Sequence, residues 1–225
     1  MRYEEFAALH LRYATRVARV CGPDRREALE HWTPARRLSG DAWTALCEDP
    51  TPPLLAAAYQ RQEALGQEPS AGGCFSASTE SDGRVVRLHF RNVDGPGVLS
   101  LERMPARRRE LQAALTAIAA RAPRAKTLRC GSWLYHLTSY RRLFPPFLLD
   151  TAVPVRSDGE LTYLALWGQF LRADGRLNQP RAASFEAAAA GARAPASLLE
   201  AFPLSKLELH APLQDVIGWL ASQPE

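Results

Sequence analysis

Between Cys130 and Pro145 the chain reads Cys-Gly-Ser-Trp-Leu-Tyr-His-Leu-Thr-Ser-Tyr-Arg-Arg-Leu-Phe-Pro, its densest run of side chains able to move a proton or hold an anion. Ser132, Tyr135, His136, Ser139 and Tyr140 supply hydroxyls and an imidazole beside Gly131. A short strand, Lys126 to Cys130, is predicted before the glycine and a helix, Leu134 to Phe144, after it. A helix start has unpaired N–H groups and partial positive charge, which suit an anion. Histidine and tyrosine exchange protons with a substrate when the site positions it and excludes water. Tyr140, His136 and Ser132 are therefore the candidate catalytic residues. A serine nucleophile calls for the sharp G-x-S-x-G turn, which is absent. The same residues also have a purely structural reading. Trp133, Leu137 and Tyr140, spaced four and three apart, form a core-facing stripe, and Ser132 caps the helix.

A second candidate lies upstream, in the turn Asp94-Gly95-Pro96-Gly97 ahead of a helix bearing Arg103, Arg107, Arg108 and Arg109. Glycines let backbone approach a phosphate closely, and arginines add charge and bidentate hydrogen bonds. Asp94, Gly95, Gly97 and Arg103 are thus candidates for holding an anionic small molecule. No G-x-x-x-x-G-K-[ST] is present, and the arginines can equally be a solvated helix face. Metal catalysis is disfavoured. Cys21, Cys47, Cys74 and Cys130 lie far apart with no C-x-x-C, and the five histidines form no H-x-x-x-H or H-E-x-x-H. The cysteines read as small buried hydrophobes.

The elements that must position these residues follow from periodicity. Phe6, Leu9, Tyr13 and Val17 make one apolar helical stripe that stops at Cys21-Gly22-Pro23. Asp24 caps a short helix over Leu29 to Trp32, and Asp41 caps another carrying Trp43, Leu46 and Cys47. Pro52-Pro53 opens a fourth that Gly66 ends, and GQEPSAGG (66–73) is the best linker. Beyond it, Val86, Leu88 and Phe90 alternate with Arg87, His89 and Arg91, a half-buried strand. Ser81-Asp82-Gly83 joins it as a hairpin to a partner at Cys74–Thr79. A helix from about Pro105 carries Met104, Leu111, Leu115 and Ile118 inward and ends at Pro123. Pro145-Pro146 stops the Leu134–Phe144 helix. Residues 160–176 are ambiguous between buried strand and helix. Helical spacing of Leu161, Leu164, Trp167 and Leu171, with a Ser157/Glu160 capping box, favours helix. A helix over Pro180–Ala190, a strand over Leu204–His210 and a helix over Leu213–Leu220 complete the chain. The expected fold class is α/β (α+β): an N-terminal helical region, 1–66, then an α/β domain, 74–225, with a small mixed sheet flanked by helices.

Composition narrows the function classes. With 225 residues, 46% hydrophobic and 23% charged, the chain can bury a core and is neither disordered nor collagen-like. No apolar run approaches the ~20 residues of a bilayer span, and MRYEEF is unlike a signal peptide, so a cytoplasmic protein with no membrane partner is expected. Net charge is +4, but only Lys126 and Lys206 are lysines, so 26 of the 28 basic residues are arginines. That skew, beside abundant alanine, fits a GC-rich coding bias. No basic stripe supports nucleic-acid binding, which ranks last.

The order hairpin, loop, helix, strand, helix with SYRRLFPPF, then Val-Pro-Val resembles the central part of the GNAT-like acyltransferase fold over about residues 83–155. The stretch CGSWLYHLTSYRRLFPP also looks like segments of bacterial proteins and of GNAT-like C-terminal domains. The resemblance implies an acyltransferase, or a degenerate relative, using acetyl-CoA or another acyl-CoA. It places Gly95 and Gly97 in the pyrophosphate loop and gives Tyr140 the part of the general acid. An amine would attack the thioester and Tyr140 would protonate the leaving thiolate. The family's [QR]-x-x-G-x-[GA] cradle is missing, no carboxylate base stands out beyond Glu102, and the N-terminal helices lie outside the resemblance. The rival reading is a non-enzymatic module that binds a protein partner through exposed aromatics such as Trp133, Tyr135 and Phe147.

Overall fold

The computed structural model describes residues 3–22, 44–45, 48, 51–65, 73–155, 164–172 and 174–223. In chain order the main elements are α1 (Glu4–Cys21), α2 (Pro52–Leu65), β1 (Phe75–Thr79), β2 (Val85–Phe90), α3 (Met104–Arg121), β3 (Thr127–Ser132), β4 (Val153–Pro154), α4 (Gln179–Gly191), β5 (Leu207–Pro212) and α5 (Leu213–Ala221). Shorter helical turns lie between them. The fold is mixed α/β, as the alternating periods require. The helix expected after Asp24, most of the one expected after Asp41 (Thr44, Ala45 and Glu48 are described, all helical), the Ser157/Glu160 capping box and nearly all of the 66–73 linker lie outside the described residues.

The chain divides into two compact units, Met1–Gln67 with Arg156–Ser205, and Glu68–Val155 with Lys206–Glu225. The sequence pattern instead puts all of 74–225 in one domain.

The first unit is helical. All four residues of the α1 stripe are buried, together with His10. The helix stops at Gly22, whose φ of 83° only glycine adopts readily and whose N–H reaches the Ala18 carbonyl. The centre of the unit is aromatic: Trp167 packs on Phe6, Tyr13, Phe170, Phe185 and Phe202. Trp167 lies in the helical turn Leu164–Trp167, so the helical reading of the ambiguous segment holds there. Each buried Leu or Phe adds about 2 kcal/mol of transfer free energy. Two polar groups share this core. Gln169 is satisfied by the carbonyls of Leu166 and Leu204 and by the Leu204 N–H. His10 bonds through Nδ1 to the Tyr59 hydroxyl, and burial pushes its pKa well below the usual value, so it sits neutral.

The second unit is built on a five-stranded sheet in the order β1-β2-β3-β5-β4. The predicted hairpin pairs β1 with β2 antiparallel, from Phe75↔Phe90 to Thr79↔Val86. β3 returns parallel to β2 after α3, and β5 inserts antiparallel between β3 and β4. Val86 and Leu88 face a core of Leu111, Leu115, Leu128, Leu209 and Val216, as the alternation predicts. On the opposite face Arg129 holds Glu208 through two hydrogen bonds of 2.8 and 2.9 Å and reaches Glu80, which also takes Arg87. These pairs tie β2, β3 and β5 in register.

Three expectations fail here. Gly131 does not break the strand. It stays in β3 opposite Glu208, and the Lys206 side chain lies where a Cβ would stand, 2.9 Å away. The helix expected over Leu134–Phe144 is two turns, Trp133–His136 and Thr138–Arg141, separated by extended Leu137 (φ −89°, ψ 122°). The reason is that Tyr135 and Tyr140 are both core residues. On one continuous helix they would point about 140° apart, and the extended residue brings both inward. Finally, Pro146 opens a helical turn, Pro146–Leu149, rather than only closing one.

Candidate functional site

Both candidate segments sit at the carboxyl ends of the two parallel strands. β2 runs to Phe90 and β3 to Ser132, yet their pairing stops at Leu88↔Cys130, two residues short of either end. The Asp94 loop leaves β2 there, and the Ser132 turn leaves β3. Carboxyl ends of parallel strands are where open α/β sheets most often take ligands.

The loop after β2 is shaped by its own polar groups. Asn92 accepts a hydrogen bond from the Gly95 N–H at 2.9 Å and donates to the Gly95 carbonyl at 3.0 Å. Gly95 and Gly97 have φ of 73° and 75°, and the space a methyl group would enter is open at both, so their role is conformational and no close approach demands them. The Gly95 N–H, a candidate anion donor, is already engaged. Past the loop, one oxygen of Asp94 receives two guanidinium groups, Arg103 at 3.2 Å and Arg107 at 2.8 Å. Arg103 ends the helical turn Leu101–Arg103 that runs into α3, and Arg107 lies four residues on in the first turn of α3, so the two share a helix face. Arg107 is not on a solvated face as expected: only 5% of it is exposed. Its guanidinium also meets Glu110 at 2.9 Å and the Cys74 sulfur. Glu110 in turn accepts the Cys74 N–H and fills the space beside Gly73. Arg109 is exposed, and Arg108 donates to the Arg142 carbonyl.

The turn after β3 is apolar and closed. Ser132 caps it, its hydroxyl accepting the Leu134 N–H at 3.1 Å, the structural role foreseen for it. His136 is exposed, whereas Tyr140 is 2% exposed. The Tyr140 ring packs on Phe90, Tyr135 and Phe144 at centroid distances of 5.1 to 5.3 Å. Through Phe90 it spans the ends of β2 and β3. Tyr135 lies within hydrogen-bonding reach of both the Cys130 thiol and the Tyr140 hydroxyl. Burial pushes all three pKa values up, that of Cys130 to about 12, so each group stays protonated near neutrality. Tyr135 is therefore no exposed docking aromatic, Trp133 is half-buried, and Phe147 remains 41% exposed.

The structure thus joins Asp94 to Arg103 and joins Tyr140 to the end of β2, while Ser132 is committed to its cap. It adds Glu110 and Cys74, which the sequence pattern does not single out as site residues, and makes Arg107, named there only among the arginines that add charge, a direct partner of Asp94. The Arg107/Glu110 spacing of three on a helix was the available signal. An open cavity of about 750 Å³ lies in the helical unit, lined by Tyr3, Glu4, Glu5, Phe6, Asp174 and Arg176 among others, and holds none of the predicted residues. No described helix is long and apolar enough to cross a membrane. The chain matches no family model, no curated protein and no solved structure.

Proposed function

We propose that the sheet-bearing unit is a GNAT-like scaffold of the degenerate kind, which binds an acyl-CoA-type ligand at the ends of β2 and β3 and does not transfer acyl groups through Tyr140. The observation that carries this reading is the early end of the β2–β3 pairing, with both candidate segments leaving from it. The element order supports the resemblance. A hairpin, a loop, α3, a parallel strand, helical turns and a short extended strand follow one another along the chain.

The donor set suits an anion: two guanidinium groups converge on a single carboxylate oxygen at the start of α3, and a phosphate oxygen has the same needs. A general acid must meet the atom it protonates, within hydrogen-bond reach or through one water. The Tyr140 phenol lies under Phe90 and Tyr135 and satisfies neither condition in this arrangement. Its part is to hold the two strand ends together.

Calorimetry with acetyl-CoA tests the reading. Saturable heat in the millimolar range or below is expected, weakened by Arg103→Ala. Absence of heat at millimolar ligand overturns it. Acetyl transfer to a panel of amines that disappears in Tyr140→Phe, with the fold intact, would restore the phenol as an acid. A second reading, a protein-binding module, draws on the same loop, because Val93 and Leu101 flank it with 47% and 66% of their surface exposed. Leu101→Asp separates the two: it abolishes a protein contact and leaves acetyl-CoA heat unchanged.

A further inference from the structure

We infer that Asp94 is an internal latch: a carboxylate of the chain that occupies its own two-arginine anion site and must swing out before a phosphate-bearing ligand can bind. The latch rests on the ligand site proposed above at the strand ends and concerns how that site is regulated. The geometry is asymmetric. Arg107 is fixed, with its side chain 6% exposed and held by Glu110 and the Cys74 sulfur as well as by Asp94. Asp94 sits on the loop with 34% of its side chain exposed, so it can rotate into water at little desolvation cost. The Nε of Arg107 is buried with no hydrogen-bond partner, so the guanidinium has donor capacity that Asp94 and Glu110 do not use. Release of Asp94 leaves the buried Arg107 guanidinium with Glu110 alone where it holds two carboxylates, so the place is filled either by Asp94 or by an external anion.

Exchange of one anion for the other requires only loop motion. Gly95 and Gly97 give the loop its two left-handed turns, and the paired hydrogen bonds of Asn92 to Gly95 set where Asp94 points. Exchange leaves the Glu110–Arg107 pair in place. The affinity for a phosphate ligand is then the intrinsic affinity reduced by the fraction of molecules with Asp94 released.

The test titrates inorganic pyrophosphate, and separately acetyl-CoA, into the full chain and into Asp94→Asn, with thermal melting to verify folding. Asp94→Asn keeps the shape of the side chain and removes its charge. Binding about tenfold tighter or more is expected for both ligands, one decade being the effect of about 1.4 kcal/mol. Arg103→Ala in the Asp94→Asn background should cancel most of that gain. Asn92→Ala, which loosens the turn that aims Asp94, should tighten binding in the same direction and serves if Asp94→Asn fails to fold. Equal binding by the parent chain and the variants overturns the latch and leaves the ligand site standing. No binding by any of them overturns the ligand site itself, and a gain that survives Arg103→Ala overturns the two-arginine assignment.

Discussion

Where β2 ends, the chain turns through exposed residues and satisfies its polar groups with ions. Where β3 ends, two residues past the same pairing, it turns inward and satisfies them with buried hydroxyls and a thiol. The two exits face the same sheet terminus and yet obey different energetics. An ion pair around a one-third exposed carboxylate is screened, and another anion can take the carboxylate's place. A tyrosine wedged among three aromatic rings is not replaceable in this way, because removing it opens a cavity in a close-packed interior. The contrast separates what this terminus can release from what it must keep.

The sharpest way to break that contrast is at residue 140. Tyr140→Ala should cost about 3–5 kcal/mol in urea unfolding, the usual loss on deleting a buried ring. Tyr140→Phe should cost about 1 kcal/mol, since only the hydroxyl is lost. A loss under about 1 kcal/mol for Tyr140→Ala would mean the ring lies against a crevice, and the closed-end description would fail.

Next in size is the alkaline response. Cys130, Tyr135 and Tyr140 all have folded pKa values raised by burial, while the unfolded chain titrates at the ordinary 9.0 and 10.0. As pH climbs past those ordinary values the unfolded chain gives up protons that the folded one retains. Stability is therefore fully present below about pH 9 and is lost as pH rises toward the folded values. The slope is about 1.4 kcal/mol per pH unit for each group in its window. Urea midpoints from about pH 8 to 11 should fall accordingly, and Tyr135→Phe should flatten the decline above about pH 10. Asp94→Asn should leave that limb unchanged, which keeps the two exits distinct.

The smallest effect belongs to the loop glycines. Gly97→Ala keeps open space around its new methyl but must hold φ at 75°, so a loss of about 1 kcal/mol is expected in the same assay. A neutral result would show that the loop relaxes freely, and would make the ionic exit softer still.

How far the sequence carried each exit follows from the same physics. Period-two alternation at Val86, Leu88 and Phe90 and the 3.6-residue stripe of α3 locate β2, the loop and the helix well, because each pattern reports one buried face. Ser132 as a cap was legible too. The broken turn at Leu137 was not, since local spacing of Trp133, Leu137 and Tyr140 suits one helix, and only the shared core position of Tyr135 and Tyr140 forces the break. The burial of Arg107 was equally hidden. Its partners Cys74, Asp94 and Glu110 come from a strand edge, a loop and a helix, and no sequence window contains all of them. The place of β5 between β3 and β4 is a tertiary choice that its own residues do not encode.

That last arrangement bears on how the molecule is made. The strand that closes the sheet comes from residues 207–212, after the chain has passed through the whole second segment of the helical unit. During synthesis β3 and β4 must therefore wait with open edges until residues 207–212 have left the ribosome. Such waiting edges invite mispairing between nascent chains, so yield on expression should depend on chaperone supply far more steeply than the native fold's own strength would suggest.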